Sequence, residues 1–476
     1  MFIKEYFNSF LNIFKKYGFT QVTLPIQKNT VFQNLEEIKN NFIEIKLEKE
    51  KVIKETQSLG FDKIKLMIKS DYISKIIKQK EIKYHFSNTK QSILISGWIK
   101  KNNTDTIIKK LSQFKETEIL FLAPSPEENP PVDLNNKNLF KPFEIITELY
   151  GIPHYKEVDP TPFLAPFFAL FFALCMTDAG YGLMILLASF FLLKKFSDKG
   201  AKKFLHLFII LSSSTVIVGI LTGGFFGIDF KGLPSQLSFL QNIRKSIMLF
   251  DPIENAMTFF IIAIGLGIIH ILLGFFIKMI WKIKNGFILD TLLDEMPWIV
   301  IIISCIFLCL ISIFSPHLIL AKNICFICFV MSCLTIVVFG GRPRKGFKRI
   351  LVGIYKLYGI MGIVGDILSY TRLLALGLVS CVLASVINIV GGVFWSYGIS
   401  FFEKGGIGFI LFLFCAIMSL LVIVGGHLFI ILISILGSFI HTMRLQFVEF
   451  FTKFYEGGGD FFSPFKKEEK YIRFKN

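Results

Sequence analysis

The chain has 476 residues, of which 53% are hydrophobic, 15% aromatic and only 18% charged. This composition excludes an ordinary soluble enzyme and indicates an integral membrane protein. The formal net charge of +17 at pH 7 does not call for a nucleic-acid partner, because basic residues collect on the cytoplasmic side of membrane proteins. We therefore expect membrane lipid as a partner, and no nucleic acid.

The sequence offers no cofactor, metal or nucleotide site. All eight cysteines lie in apolar segments after residue 170, and a CxxC pair at Cys325 and Cys328 falls within an apolar helix, where it is a weak metal or redox signal. No glycine-rich phosphate loop of the Walker type occurs. We predict that the chain binds no cofactor or metal, does not bind or hydrolyse ATP, and is not itself an enzyme.

Residues 1–157 form a predicted soluble region. A short amphipathic helix at 7–16 and a strand at 21–24 precede a long charged helix. Its apolar residues recur every three or four positions, which is typical of a coiled-coil seam. Nothing else in the chain is long and polar enough to be its partner, so either another subunit supplies that helix or the chain lacks an N-terminal part. The seam residues are Leu35, Ile38, Phe42, Ile45, Val52 and Leu59.

After this helix, strands at 92–99 and 119–122 flank a helix at 106–114, which predicts a small α/β lobe. The proline-rich stretch 123–131 is a stiff linker, because proline forbids helix and favours an extended backbone. We place the end of the soluble region at residue 157.

Residues 158–449 form a predicted membrane domain, and residues 450–476 a tail. The apolar stretch 163–193 is too long for one span of about 20 residues and contains DAGYG at 178–182, so we predict a helical hairpin that turns at the glycines. Counting the hairpin as two, about eight spans result. The other six lie at 204–226, 256–281, 297–314, 317–339, 358–395 and 406–449.

The charges of the loops predict the orientation. With the N-terminus inside, the cytoplasmic loops 194–203, 278–296 and 341–359 hold fourteen Lys and Arg, against five in the loops on the other side. The positive-inside rule therefore places both termini in the cytoplasm.

The last two spans exceed the thickness of a membrane. As one helix, 358–395 would be roughly 57 Å long, against a hydrocarbon core of about 30 Å. Such helices must tilt, break or protrude into water. The predicted fold class is therefore mainly α: a polytopic membrane bundle of about eight helices, the last two long and tilted, preceded by a cytoplasmic coiled coil and an α/β lobe.

Arg372 is the residue on which the functional prediction depends. In the span 358–395 only Arg372 and Asp366 are fully charged. A guanidinium stays protonated, and at the centre of a span it costs about 2.5–3.5 kcal/mol, so an intramembrane arginine indicates function and requires a partner. The last span adds Arg444, which shares a helix face with His441, while Glu449 lies five residues further on.

Three interpretations remain open from the residues alone. In the first, Arg444 snorkels to the cytoplasmic interface and Arg372 pairs internally with Asp366 or Asp178. In the second, the arginines bind an anionic solute, as in a stand-alone secondary transporter. In the third, another subunit supplies the carboxylate; an arginine that meets a moving carboxylate favours its ionised form and blocks direct leakage between two aqueous access routes.

Three groups of motifs occur in one order along the chain. They are PFE at 142–144 with TELYG at 147–151, DPTPFLAPFF at 159–168 and DAGYG at 178–182; DILSYTRL at 366–373; and HTMRLQFVE at 441–449 with FYEG at 454–457. From residue 92 to the C-terminus, the chain resembles the membrane subunit of V-type and archaeal-type rotary ATPases, called subunit I in bacteria and subunit a in eukaryotes.

The resemblance implies a function and partners. It implies that Arg372 is the essential arginine facing a rotating ring of proteolipid subunits and that Arg444 is the second arginine of the family. Protons or sodium ions would cross through two offset half-channels where this subunit meets the ring, and ATP chemistry would occur on a separate cytoplasmic sector joined by a central stalk. Additional polar candidates for lining a half-channel are Ser369, His441, Gln446 and Glu449.

The resemblance also assigns the soluble region. It implies a stator arm that holds peripheral stalks, and a location in the inner membrane of a bacterial cell. Family members carry an α/β lobe at each end of a two-helix coiled coil, whereas this sequence begins inside the distal lobe and has only the returning helix. We expect an N-terminal segment to be absent from it.

Overall fold

A computed structural model describes residues 30–84, 86–125, 128–196, 198–228, 238–315, 317–342, 347–403 and 408–465. The chain divides into two compact units, one of residues 1–99 with 464–476 and the other of residues 100–463. The helix predicted at 7–16 and the strand predicted at 21–24 lie outside the described residues.

The first unit is dominated by one helix, α1 (Val31–Tyr84), of 54 residues. All six residues of the predicted seam lie on it, each between 59% and 70% exposed. The long helix is therefore confirmed, and in the part of this unit that the structure describes no second helix covers the seam. Two short strands follow, β1 (Ser87–Asn88) and β2 (Ile93–Leu94), paired antiparallel.

The predicted α/β lobe is only partly present. The helix forms as α2 (Thr104–Leu111), but the strand predicted at 92–99 is reduced to β2, and 119–122 has no regular structure. Leu120 and Leu122 are 73% and 88% exposed. No neighbouring strand among the described residues takes their backbone hydrogen bonds, and 119–122 forms no strand, so the second strand of the prediction is wrong.

The membrane hairpin is confirmed, although its turn differs in detail. Helix α3 (Glu144–Tyr150) leads to α4 (Thr161–Met176) and α5 (Ala179–Lys195). The chain turns at Thr177, which has φ +45°, and the Asp178 carboxylate caps α5 by accepting from Tyr181 N at 3.0 Å. The glycines are instead inside α5: a Cβ on Gly180 would lie 2.5 Å from the Phe226 ring, so they serve close packing.

The bundle continues with helices that match the predicted spans. Six helical segments among the described residues are long and apolar enough to cross a membrane, while α4 and α5 have only 16 and 17 residues. The eight predicted spans therefore correspond to six helical segments of membrane-spanning length and the two shorter helices of the hairpin. The helices are α6 (Lys199–Thr222), α7 (Ser238–Ile247), α8 (Ala256–Lys284), α9 (Met296–Phe314), α10 (Ile319–Phe339), α11 (Phe347–Leu357), α12 (Gly359–Ser369), α13 (Thr371–Phe402) and α14 (Gly408–Arg444).

The two C-terminal segments that are longer than the membrane is thick differ in how they accommodate their length. The first is broken at Tyr358 and Tyr370 into α11, α12 and α13. The second is continuous through α14 for 37 residues and passes into a π-helix, Leu445–Phe450. Helices α13 and α14 pack along each other, and α4 packs against both. This confirms the predicted mainly α membrane bundle.

The first and last groups of motifs pack together in the second unit. Tyr150 contacts Phe447 and Phe451 with ring centroids 5.2 and 5.1 Å apart. The Tyr455 hydroxyl donates to the Gly151 carbonyl, and burial raises the pKa of that phenol, so it stays protonated as a donor. Residues far apart in sequence therefore pack into one cluster near α4 and the end of α14.

The contact between α6 and the hairpin turn gives a test of this packing. A Cβ on Gly219 would lie 2.2 Å from Ala179 N and 2.7 Å from the Asp178 carbonyl carbon. Because backbone cannot yield, Gly219→Ala should lower the free energy of unfolding by about 1–3 kcal/mol. Gly265→Ala is the control, since a Cβ there has nothing within 4 Å. Thermal unfolding of the purified protein in detergent measures both, and equal midpoints would contradict the prediction.

Candidate functional site

Arg372 lies in the first turn of α13, directly after the break at Tyr370. Its Nε donates to the Ser369 carbonyl at 3.0 Å, and its Nη2 forms a salt bridge with Glu449 Oε1. The arginine side chain is 21% exposed and the glutamate side chain 2%. The pairing of Arg372 with Asp366 or Asp178, which belonged to the first of the three interpretations, is therefore wrong, because a carboxylate 77 residues away in sequence takes that place.

The two other acids have different partners. Asp366, on α12, forms a salt bridge with Lys453 in the short 3₁₀ helix Phe451–Lys453. Asp178 caps α5 and is 1% exposed. The end of α12 and the start of α13 are thus tied to the segment that follows α14 by two neighbouring charge pairs.

Arg444 differs from Arg372 in both its exposure and its partners. It is exposed, and no hydrogen bond or salt bridge to it is found in the parts of the chain that the structure covers. His441, one turn earlier, is close enough to interact electrostatically with both Arg372 and Arg444. The two arginines and the histidine therefore belong to one site, with Arg372 at its inner side and Arg444 at its surface.

The π-helix at Leu445–Phe450 orients the remaining candidates. It buries Leu445, Gln446, Glu449 and Phe450 and leaves Arg444 exposed. Such π-helical turns are rare and frequently occur at functional sites. Ser369 is less directly involved: its hydroxyl donates to the Gly365 carbonyl within α12 at 3.1 Å, and only its backbone carbonyl contacts Arg372.

The site is rich in polar atoms with unused hydrogen-bonding capacity. Among the described residues, six buried side-chain atoms here have no hydrogen-bond partner. Buried polar groups normally have partners, so their concentration at one place indicates a region built to receive water, an ion or an outside group. These atoms are Arg372 Nη1, Glu449 Oε2, Gln446 Nε2 and Oε1, Thr442 Oγ1 and His441 Nδ1.

A second polar chain lies further along the same helices. Tyr181 OH is 2.7 Å from His427 Nδ1, His427 Nε2 is 3.0 Å from Asn388 Oδ1, and Asn388 Nδ2 donates to the Phe226 carbonyl at 2.7 Å. Because the Asn388 amide nitrogen donates, its oxygen must accept from His427, which leaves Nδ1 to accept from Tyr181. Asn388 is about 24 Å along α13 from Arg372, at 1.5 Å per residue.

Comparison of the sequence with known proteins places the chain in a family. The profile of the V-type ATPase 116kDa subunit family matches residues 8–228 and 357–467. The chain is 30% identical to the A-type ATP synthase subunit I of Methanocaldococcus jannaschii, over 98% of this chain and 69% of that protein. The chain belongs to the V-type ATPase 116 kDa subunit family.

Further relatives agree with this membership. The A-type ATP synthase subunit I of Pyrococcus horikoshii is 30% identical over 95% of this chain and 66% of its own length. The V-type ATP synthase subunit I of Chlamydia trachomatis is 23% identical over 78% and 61%. The chain thus spans about two-thirds of the length of its relatives. Six apolar helical segments among the described residues and this membership together identify an integral membrane protein.

The matched ranges of the 116 kDa subunit family include every residue predicted for the site. Arg372, Ser369, His441, Arg444 and the π-helix all lie within residues 357–467. Residues 229–356, which contain α7 to α10, fall outside the match.

Sequence reasoning missed several residues of the site. Lys453, Tyr370 and His270 were not singled out, although His270 is the one histidine of its span, 256–281. An ionisable residue within a membrane span indicates a functional site by default, so that signal was available. The His427–Asn388 chain was also missed, because its members come from different helices.

Proposed function

We propose that this protein is the membrane stator subunit of a rotary V/A-type ATPase, which forms proton or sodium half-channels against a proteolipid ring and couples transport to ATP hydrolysis or synthesis. The observation that carries the proposal is the placement of Arg372. Its guanidinium is buried enough to be costly, yet 21% exposed, so it can be reached by a carboxylate from another chain.

The proposed mechanism of ion release depends on the permanent positive charge of Arg372. Arg372 stays protonated, so a ring carboxylate that arrives beside it is stabilised in its ionised form and releases its proton or sodium ion. After the carboxylate moves on, its ionised form loses that stabilisation and binds an ion again. A fixed positive charge also repels cations, which prevents direct leakage between the two access routes.

The two polar clusters on α13 and α14 support two offset routes. One contains Arg372, Glu449 and Gln446, and the other Tyr181, His427 and Asn388. A spacing of about 24 Å along α13 is close to the hydrocarbon thickness of about 30 Å. Ions would therefore enter through one cluster and leave through the other, carried between them by the ring.

The remaining assignments extend the same proposal. Residues 1–157 act as the cytoplasmic stator arm, 158–449 as the translocating domain and 450–476 as a cytoplasmic tail, with both termini inside and the protein in a bacterial cell membrane. The exposed seam of α1 takes a helix that completes the coiled coil, and peripheral stalks bind this arm. The subunit is non-catalytic; the ATPase sector, joined through the central stalk, carries the nucleotide chemistry.

The alternative is a stand-alone secondary transporter of an anionic solute. Family membership disfavours it, because the relatives that the chain matches are named as subunits of A-type and V-type ATP synthases. The test uses vesicles that contain either the complex purified with this chain or the chain alone. The complex should take up protons or sodium on addition of ATP, and the chain alone should transport nothing. Uptake of an organic anion by the chain alone would overturn the proposal.

A further inference from the structure

We propose that His270, on α8, is a positioning residue that holds Arg372 and Glu449 in register with each other; this rests on the proposed function above. His270 contacts neither side chain directly. It contacts Tyr370, two residues before Arg372, and Phe450, one residue after Glu449. It also lies outside the ranges that the family profile matches.

On the side of Arg372, His270 forms a hydrogen bond with Tyr370 at the helix break. His270 Nδ1 is 2.8 Å from Tyr370 OH, and both residues are fully buried. Tyr370 lies between α12 and α13, and its ring packs so closely on α8 that a Cβ on Gly267 would be 2.5 Å from it. The bond therefore fixes the tyrosine at the point where the direction of α13, and with it the reach of Arg372, is set.

On the side of Glu449, the His270 ring stacks on Phe450. The His270 ring lies parallel to Phe450, with centroids 4.0 Å apart and an interplanar angle of 17°. Phe167 of α4 stacks on its other face at 4.5 Å. Phe450 is thus held between α8 and the bundle core, which fixes the end of the π-helix that carries Glu449.

The chemistry of the ring shows why a histidine is used here. Phenylalanine would fill the same space but would leave the Tyr370 hydroxyl buried without a partner, at a cost of about 1–3 kcal/mol. On the opposite edge, His270 Nε2 has no hydrogen-bond partner within the described chain, and the buried Gln446 amide is close enough to interact with it. One ring therefore contacts the break and the π-helix, and it lies near Gln446, a predicted channel residue.

Loss of the His270–Tyr370 bond should affect the coupling between ion transport and ATP hydrolysis. If Tyr370 is released, the break at α12–α13 can bend and Arg372 no longer faces one fixed height of the ring. Ions then slip past without rotation of the ring. The ATPase sector keeps its own activity, so the number of ions transported per ATP falls while ATP hydrolysis continues.

The experiment compares His270→Phe, Tyr370→Phe and the double variant in the reconstituted complex. Each single change keeps the ring volume and removes one end of the hydrogen bond. We expect each to lower ions transported per ATP by roughly five- to tenfold, the equivalent of one hydrogen bond, with the double variant no worse than either single one. His270→Asn, whose amide can still bond Tyr370, should recover part of the loss.

His206→Phe is the matched control, because His206 is exposed and its ring bonds to the Lys202 carbonyl of its own helix and to no other described residue. This variant should behave like the unaltered protein. Normal coupling in Tyr370→Phe, or single effects that multiply in the double variant, would overturn the inference. Failure of the proposed function would look different, since Arg372→Gln would then also pump normally.

Discussion

Arg372→Gln should reduce ATP-driven ion transport by on the order of 100-fold, which corresponds to about 3 kcal/mol of lost charge stabilisation, while the complex still assembles. Assembly survives because the other member of the pair, Glu449, is a carboxyl that can become neutral by binding a proton when its cation is removed. Transport fails because, among the described residues of the site, no other arginine is half-buried and still reachable from outside; Arg444 is exposed. The measurement is ion uptake into vesicles, together with the subunit composition of the purified complex.

Two further variants sharpen this result. Arg342→Gln removes the same charge from an arginine that pairs with Asp290 and Asp294, whose side chains are 52% and 29% exposed against 2% for Glu449. It should leave transport within about twofold, because ion pairs with a solvated carboxylate contribute little. Arg372→Lys retains the charge but loses the planar fork, and should fall between the two. Normal transport in Arg372→Gln with intact assembly would refute the proposed function.

The fold was largely predictable because its signals are local. Apolar stretches with the length of a membrane span, and a seam with coiled-coil spacing, each report on one helix at a time. The small lobe was less predictable, since a strand depends on a neighbour to pair with, and 119–122 finds none among the described residues. The break at Tyr370 also lacked a signal, because no proline or glycine marks it.

The site could be predicted only in part, for a related reason. Spacing along one helix predicted that His441 and Arg444 lie together and that Arg372 needs a partner. It could not predict that Glu449 is that partner, because the pair depends on antiparallel packing of α13 and α14 and on a π-helical turn. For the same reason Lys453 was not recognised as the partner of Asp366. The sequence predicts that Arg372 needs a counter-charge, and tertiary packing determines which residue provides it.

Glu449→Gln should be the most destabilising single change at the site. The glutamate side chain is 2% exposed and binds Arg372, and a guanidinium cannot lose its charge when its partner is removed. Removal of one member of a buried pair costs about 3–5 kcal/mol. We therefore expect a lower midpoint of thermal unfolding in detergent and less protein in the membrane.

The pairing itself is tested by the double variant Arg372→Gln with Glu449→Gln. It should be more stable than Glu449→Gln alone, because the uncompensated charge has gone and two amides can bond to each other. Glu456→Gln, a change at an exposed acid seven residues further on, should leave the midpoint unchanged. If the two losses of stability simply added in the double variant, Arg372 and Glu449 would not interact, and the positive charge would have to be compensated from outside this chain.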